Sequence, residues 1–263
     1  MREVIQAIDR FHLLELIDRH IQAEGPHCDL NHIDVSEVIS LHRLFDKFPQ
    51  FNGDISKWNT SNVLSLGWTF SECAFNGDIS QWDTSKVTDM TGTFYKSAFN
   101  GDISQWDTSS VEDMSHCFQD SVFTGDLSLW NTSNVMNLNG MFQSSPFNGD
   151  ISKWNTSKVT NFHYIFNHSA FRGDISQWEL HPQEDISMPF SEYHESPLGI
   201  VSVLGEYQGF PPNDPRAARF QALRSLCDGL GLDRVSAAQY IYRGLRDPEL
   251  LIDDQAWPDF STH

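Results

Sequence analysis

Apolar and polar positions through the middle of this chain follow a schedule that repeats every 24 residues. Phe51, Phe75, Phe99, Phe123, Phe147 and Phe171 form one row, and Trp58, Trp82, Trp106, Trp130, Trp154 and Trp178 form a second. Asp54, Asp78, Asp102, Asp126, Asp150 and Asp174 keep the same interval. A fixed period of roughly 20–50 residues marks a stacked array, in which each unit buries its apolar side against the next.

Within one unit, residues 51–74, Asn52-Gly53 carries turn chemistry because both residues tolerate a left-handed backbone. Asp54–Trp58, with β-branched Ile55, predicts a short strand. Thr60-Ser61 then supplies a helix N-cap, and Val63, Leu66 and Phe70 fall at i, i+3 and i+7, one stripe of a short helix. The expected fold is an α/β solenoid of leucine-rich-repeat type. Parallel strands would stack on one side and short helices on the other.

The flanks divide the chain into three parts. In residues 1–28, Val4, Ile5, Ile8, Phe11, Leu14, Ile17 and Ile21 predict an amphipathic capping helix that ends before Gly25 and Pro26. Residues 29–190 hold about seven coils in this reading, the first of them degenerate. Its Val38, Leu41 and Phe45 match Val63, Leu66 and Phe70, Ile33 stands in the Trp row, and an extra residue near Phe48-Pro49 breaks the register. Terminal repeats are expected to be atypical. Pro182 and Pro189 interrupt the last unit. Residues 191–263 form a Pro-rich connector followed by two predicted helices, Arg216–Gly229 and Arg234–Leu245.

Charge narrows the partner class. The chain carries a formal net charge of −19, distributed over all three parts. Such acidity repels phosphate backbones and anionic membranes, and it steers a basic protein partner. No stretch is long and apolar enough for membrane insertion, and the N-terminus lacks a Sec signal peptide and a lipid-accepting Cys. Of Cys28, Cys73, Cys117 and Cys227, Cys73 and Cys117 are 44 residues apart and so fall on different rows, and free thiols are expected. Together these features predict a cytoplasmic protein, or one exported by a signal-independent route.

Candidate chemistry is sparse. The Asp row could ladder calcium, but an acid directly after Asn-Gly is expected to bond nearby backbone N–H groups. The Trp row is expected to be core, although stacked indoles also suit a sugar or a peptide. Asn-Thr-Ser at 59–61, 131–133 and 155–157 matches a glycosylation acceptor, yet equivalent copies carry Asp83 and Asp107, which points to capping. Motifs for nucleophilic, metal-dependent or phosphate chemistry do not occur, so a non-catalytic protein without cofactor or metal is expected. The informative rows are those that vary between copies. One, just before the Trp, reads Lys57, Gln81, Gln105, Leu129, Lys153, Gln177; the other, two before the stripe Phe, reads Trp68, Gly92, His116, Gly140, Tyr164. These are the candidate partner-binding positions, because exposed aromatic residues anchor interfaces.

The phrases FNGDISKWNTSNV and FNGDISQWDTSKVTDM, and the opening CDLNHIDVSEV, resemble the BspA-like bacterial leucine-rich-repeat surface proteins over residues 28–190. That resemblance implies a solenoid that binds host or neighbouring proteins, as an adhesin or effector does. The acidity favours a second reading, an intracellular inhibitor or immunity protein that neutralises a basic toxin or enzyme.

Overall fold

The computed structural model describes residues 2–171 together with Gly173, Ile175 and Trp178. Asp174, Gln177, Cys227 and the two helices expected after residue 215 lie outside the described residues.

Each 24-residue unit makes one coil, and successive coils pair in parallel. Isolated bridges join Ser40 to Ser65, Ser65 to Asp89, Asp89 to Asp113, Asp113 to Asn137 and Asn137 to Asn161. In the first coil the partners are 25 residues apart (Asp29 with Asp54, Ser40 with Ser65), as an extra residue there requires.

The short helices expected on residues 60–70 of each unit are absent. Among the described residues the sole α-helix is N-terminal. Apart from the Asp29–Asp54 bridge, the inter-coil ladder also sits on the segment expected to be helical, rather than at Asp54–Trp58 and its equivalents. Backbone bonding explains both corrections. The N–H groups of Leu66, Trp68, Phe70 and Glu72 reach forward to the carbonyls of Asp89, Thr91, Thr93 and Tyr95 in the next coil at 2.7–3.0 Å. The intervening Thr69, Ser71 and Cys73 bond back three residues to Leu66, Trp68 and Phe70. A helix would need those N–H groups for its own i−4 carbonyls.

The misleading spacing has a clear source. Reverse turns span Ile55 to Trp58, Thr60 to Val63, Leu66 to Thr69 and Phe70 to Cys73, and both ends of every turn are buried. Tight turns that start and finish on inward residues generate the same i, i+3 pattern as a helical stripe.

The core consists of aromatic columns. Phe51, Phe75, Phe99, Phe123, Phe147 and Phe171 stack at centroid distances of 6.0–6.4 Å, their planes within 13° of parallel. A second column, Phe45, Phe70, Phe94, Phe118, Phe142 and Phe166, leans on the first, with rings such as Phe94 and Phe99 only 4.4 Å apart. The Trp row is buried beside them, and each indole N–H donates to a carbonyl of the preceding coil. Trp82 reaches Ile55, Trp106 reaches Ile79 and Trp130 reaches Ile103, at 3.0–3.1 Å. The turn expected at Asn52-Gly53 does not form, and the glycine is required there for space, not for a left-handed backbone. A Cβ on Gly77 would come within 2.8 Å of the Phe75 ring.

The N-terminus caps the stack differently from expectation. Residues Ile5–Gln6 form β1, Arg10–Glu24 form α1 with Asp9 as N-cap, and Ile33–Asp34 form β2, which pairs in parallel with β1. The helix therefore starts nine residues later than predicted, buries Leu13, Leu16 and Ile17, and leaves Val4, Ile8 and Phe11 exposed. Donors along this segment cover the outward carbonyls of the first coil. Arg2 reaches Asp29, Ile5 reaches His32, Ala7 reaches Asp34 and the Arg10 guanidinium reaches His42. Edge satisfaction of this kind blunts pairing with other chains. No helix among the described residues is long and apolar enough to cross a membrane.

Replacing Trp106 by Phe keeps the ring column but strands the Ile79 carbonyl, at an expected cost of about 1–3 kcal/mol. Trp106→Ala also opens a cavity and should cost about 3–5 kcal/mol. Urea unfolding of the two variants checks both the order and the size of these effects.

Candidate functional site

Polar rows on the surface of each coil are satisfied locally. The Oδ1 atoms of Asp54, Asp78, Asp102, Asp126 and Asp150 accept the N–H two residues on, from Ser56, Ser80, Ser104, Ser128 and Ser152, at 2.8–3.0 Å. These are Asx turns that use the carboxylate as a backbone partner. A second such row, Asn59, Asp83, Asp107, Asn131 and Asn155, accepts from Ser61, Ser85, Ser109, Ser133 and Ser157. The expected cap at Thr60 is thus replaced by its neighbour. The buried Thr60 hydroxyl instead donates forward to Asp83 O at 3.0 Å.

These bonds favour the ionised acids. The N–H of Ser104 holds Asp102 below the usual carboxylate range, and that of Ser152 does the same for Asp150. The Ser85 hydroxyl and N–H lower Asp83. At Asp54 burial pushes the other way but is outweighed by Ser56 and Asn31. The thiols are inert by contrast. Cys28, Cys73 and Cys117 are free and buried, and burial pushes Cys73 up to about 11.

The two variable rows differ in character. Lys57, Gln81, Gln105, Leu129 and Lys153 are all exposed, Leu129 at 67%. Side-chain bonds in this row are slight; Gln81 and Gln105 each reach only the adjacent Ser hydroxyl at 3.3 Å. Trp68, His116 and Tyr164 are half-buried and belong to a column of their own.

That column alternates large and small residues for a geometric reason. Its row occupies the third position of the 66–69 turn, where φ is positive: 56° at Trp68, 57° at Gly92, 57° at His116, 60° at Gly140 and 58° at Tyr164. Glycine is the natural occupant there. The aromatic residues fill the room that glycine leaves in the following coil. A Cβ on Gly92 would lie 2.5 Å from the Trp68 indole, and one on Gly140 would lie 2.7 Å from His116 Nδ1. Trp68 carries the Arg43 guanidinium at 5.6 Å, meets Tyr95 edge-on at 5.3 Å and faces the His116 ring at 6.4 Å. His116 Nδ1 donates to Gln119 Oε1 at 2.6 Å, and Asn139 Nδ2 donates to Nε2 at 3.3 Å. The sequence patterns single out Trp68, His116 and Tyr164 but miss Arg43, Tyr95 and Asn139. Arg43 stands in the same row one coil earlier, and the 25-residue offset of the first coil hides it.

The family described as "Mycoplasma protein of unknown function, DUF285" matches residues 19–122 and again residues 96–197. The chain belongs to that family. The two matches overlap and together cover more than half of the sequence, as expected when one bacterial repeat family recurs along a periodic chain. No curated protein and no solved structure matches the chain.

Gly92→Ala should destabilise by about 1–3 kcal/mol through overpacking against Trp68, in addition to left-handed strain of about 1–2 kcal/mol. In a Trp68→Ala background only the strain should remain. A double-mutant cycle in urea separates the two contributions.

The Asx carboxylates have folded pKa values below their unfolded ones, so their stabilisation is complete above about pH 4 and lost as pH falls through the folded values. Asp102→Asn keeps the acceptor and should leave stability at neutral pH nearly unchanged while flattening the acid limb of a pH-stability curve. Asp102→Ala should lower stability at neutral pH.

Proposed function

We propose that this chain is a non-catalytic recognition protein. Its coils form a solenoid akin to that of BspA-like surface proteins, which holds another protein in the manner of an adhesin or effector. The observation that carries this reading is the exposed row Lys57, Gln81, Gln105, Leu129, Lys153. Its side chains change from coil to coil while the frame beneath them stays constant. Leu129 is the large apolar residue of that row, and a solvent-facing Leu flanked by glutamine and lysine suits the centre of a modest interface. The Trp68–His116 column contributes half-exposed ring edges on another arc, held rigidly by the packing described above.

A second reading draws on charge. Residues 75–128 hold nine carboxylates against Lys86 and Lys96 alone, so the middle coils favour a basic partner. An intracellular inhibitor of a basic toxin or enzyme would use that field. Cell fractionation discriminates the two readings, since a surface-exposed protein cannot be the intracellular inhibitor.

The row is tested with full-length chain carrying Leu129→Glu and Gln105→Glu. Captured partners are identified by mass spectrometry, and their affinity for wild type and variant is then measured. The variant should lose tenfold or more in affinity with an unchanged melting temperature. Undiminished affinity would remove this row from the site.

A further inference from the structure

The junction between α1 and the first coil contains two histidines in direct contact. His20, on α1, and His32, just before β2, bring their Nε2 atoms to 2.9 Å, with ring centroids 4.7 Å apart. The proton positions follow from the remaining partners. His20 Nδ1 lies 2.7 Å from Leu16 O, which can only accept, so Nδ1 carries the proton and Nε2 presents a lone pair. His32 Nε2–H fills that lone pair. His32 Nδ1 is then a bare acceptor, buried and without a hydrogen-bond partner.

This arrangement leaves no place for another proton. Protonation at His32 Nδ1 would create a buried N–H with nothing to accept it. Protonation at His20 Nε2 would set two N–H groups head to head. The charged groups around His32 offset one another: Arg2 opposes a positive imidazole, whereas Asp29 and Glu24 favour it, and Arg2 is already paired to Glu24 at 2.7 Å. Burial, reinforced by His20, leaves His32 below the ordinary histidine range.

His32 is also where two parts of the cap converge. Its carbonyl accepts Ile5 N–H of β1, while its side chain donates to α1. We propose that the His20–His32 contact is a pH-sensitive latch that holds the N-terminal cap on the first coil near neutral pH and releases it in mild acid. Release uncovers the carbonyls of Asp29, His32 and Asp34, which become acceptors for an incoming strand edge.

The sign follows from linkage. A histidine depressed in the folded state stabilises above its unfolded value of about 6.5, and that contribution disappears as pH falls through the folded value. This window lies well above the Asx-carboxylate limb, so the two titrations separate.

Hydrogen exchange of the full chain at pH 7.5, 6.5 and 5.5, corrected for intrinsic rates, tests the latch. Peptides within residues 5–24 should open more often as pH falls, by up to about tenfold per pH unit for each proton taken up. Peptides around Trp82–Trp130 should not change. His32→Gln retains a donor for His20 and should abolish the pH step, and His20→Gln provides an independent second variant. An unchanged opening of residues 5–24 down to pH 5 overturns the proposal, as does a step that persists in both variants. An NMR titration of the wild-type imidazoles does not depend on either variant folding. His32 should titrate below an unhindered histidine, and a normal titration curve would also overturn the latch.

Discussion

The structure depends on how each coil divides its backbone N–H groups. Along residues 66–73 alternate donors go forward to the next coil and back to a turn in their own coil, so neither set is left unpaired. Turns close the coil and forward bonds stack it, and each needs the other because buried amides cannot be left without partners. This division rules out a helix on that arc. It also brings the ends of the Leu66–Thr69 and Phe70–Cys73 turns inward, where the Phe and Trp columns assemble.

Side chains complete what the backbone leaves open. Trp indoles bond the carbonyls of the Ile/Leu row in the preceding coil, the hydroxyls of Thr60, Thr84, Thr108 and Thr132 bond carbonyls in the following one, and Asp or Asn side chains take the N–H groups of the outer turns. The Asp ladder, which by composition could suggest calcium, is thus engaged in turn formation with Ser as its partner. The same satisfaction reaches the N-terminal edge, where Arg2, β1 and Arg10 supply donors that a preceding coil would otherwise provide.

Variation between coils has two physical meanings in this molecule. In the Trp68–Tyr164 row it is coupled, because a large ring in one coil requires glycine in the next. In the Lys57–Lys153 row nothing comparable links neighbours, and the side chains face solvent. The proposed binding surface is the second row, with the first as a rigid aromatic border. Both rows are anchored by the family's repeat, which spans most of the described chain.

The sequence by itself determined the period, the Phe and Trp rows that would be buried, and the extra residue of the first coil. Those properties follow from identity and spacing alone. It did not decide helix against turn at Val63–Phe70, because turns with inward ends and a helical stripe produce the same i, i+3 pattern. Nor could it show why Gly92 and Gly140 interrupt the aromatic row, since the clash lies between coils 24 residues apart. The His20–His32 contact, the Arg10 edge cap and the Arg43–Trp68 stack likewise join residues with no shared periodicity. Tertiary structure decided them, because only stacking determines which side chains of different coils share a space.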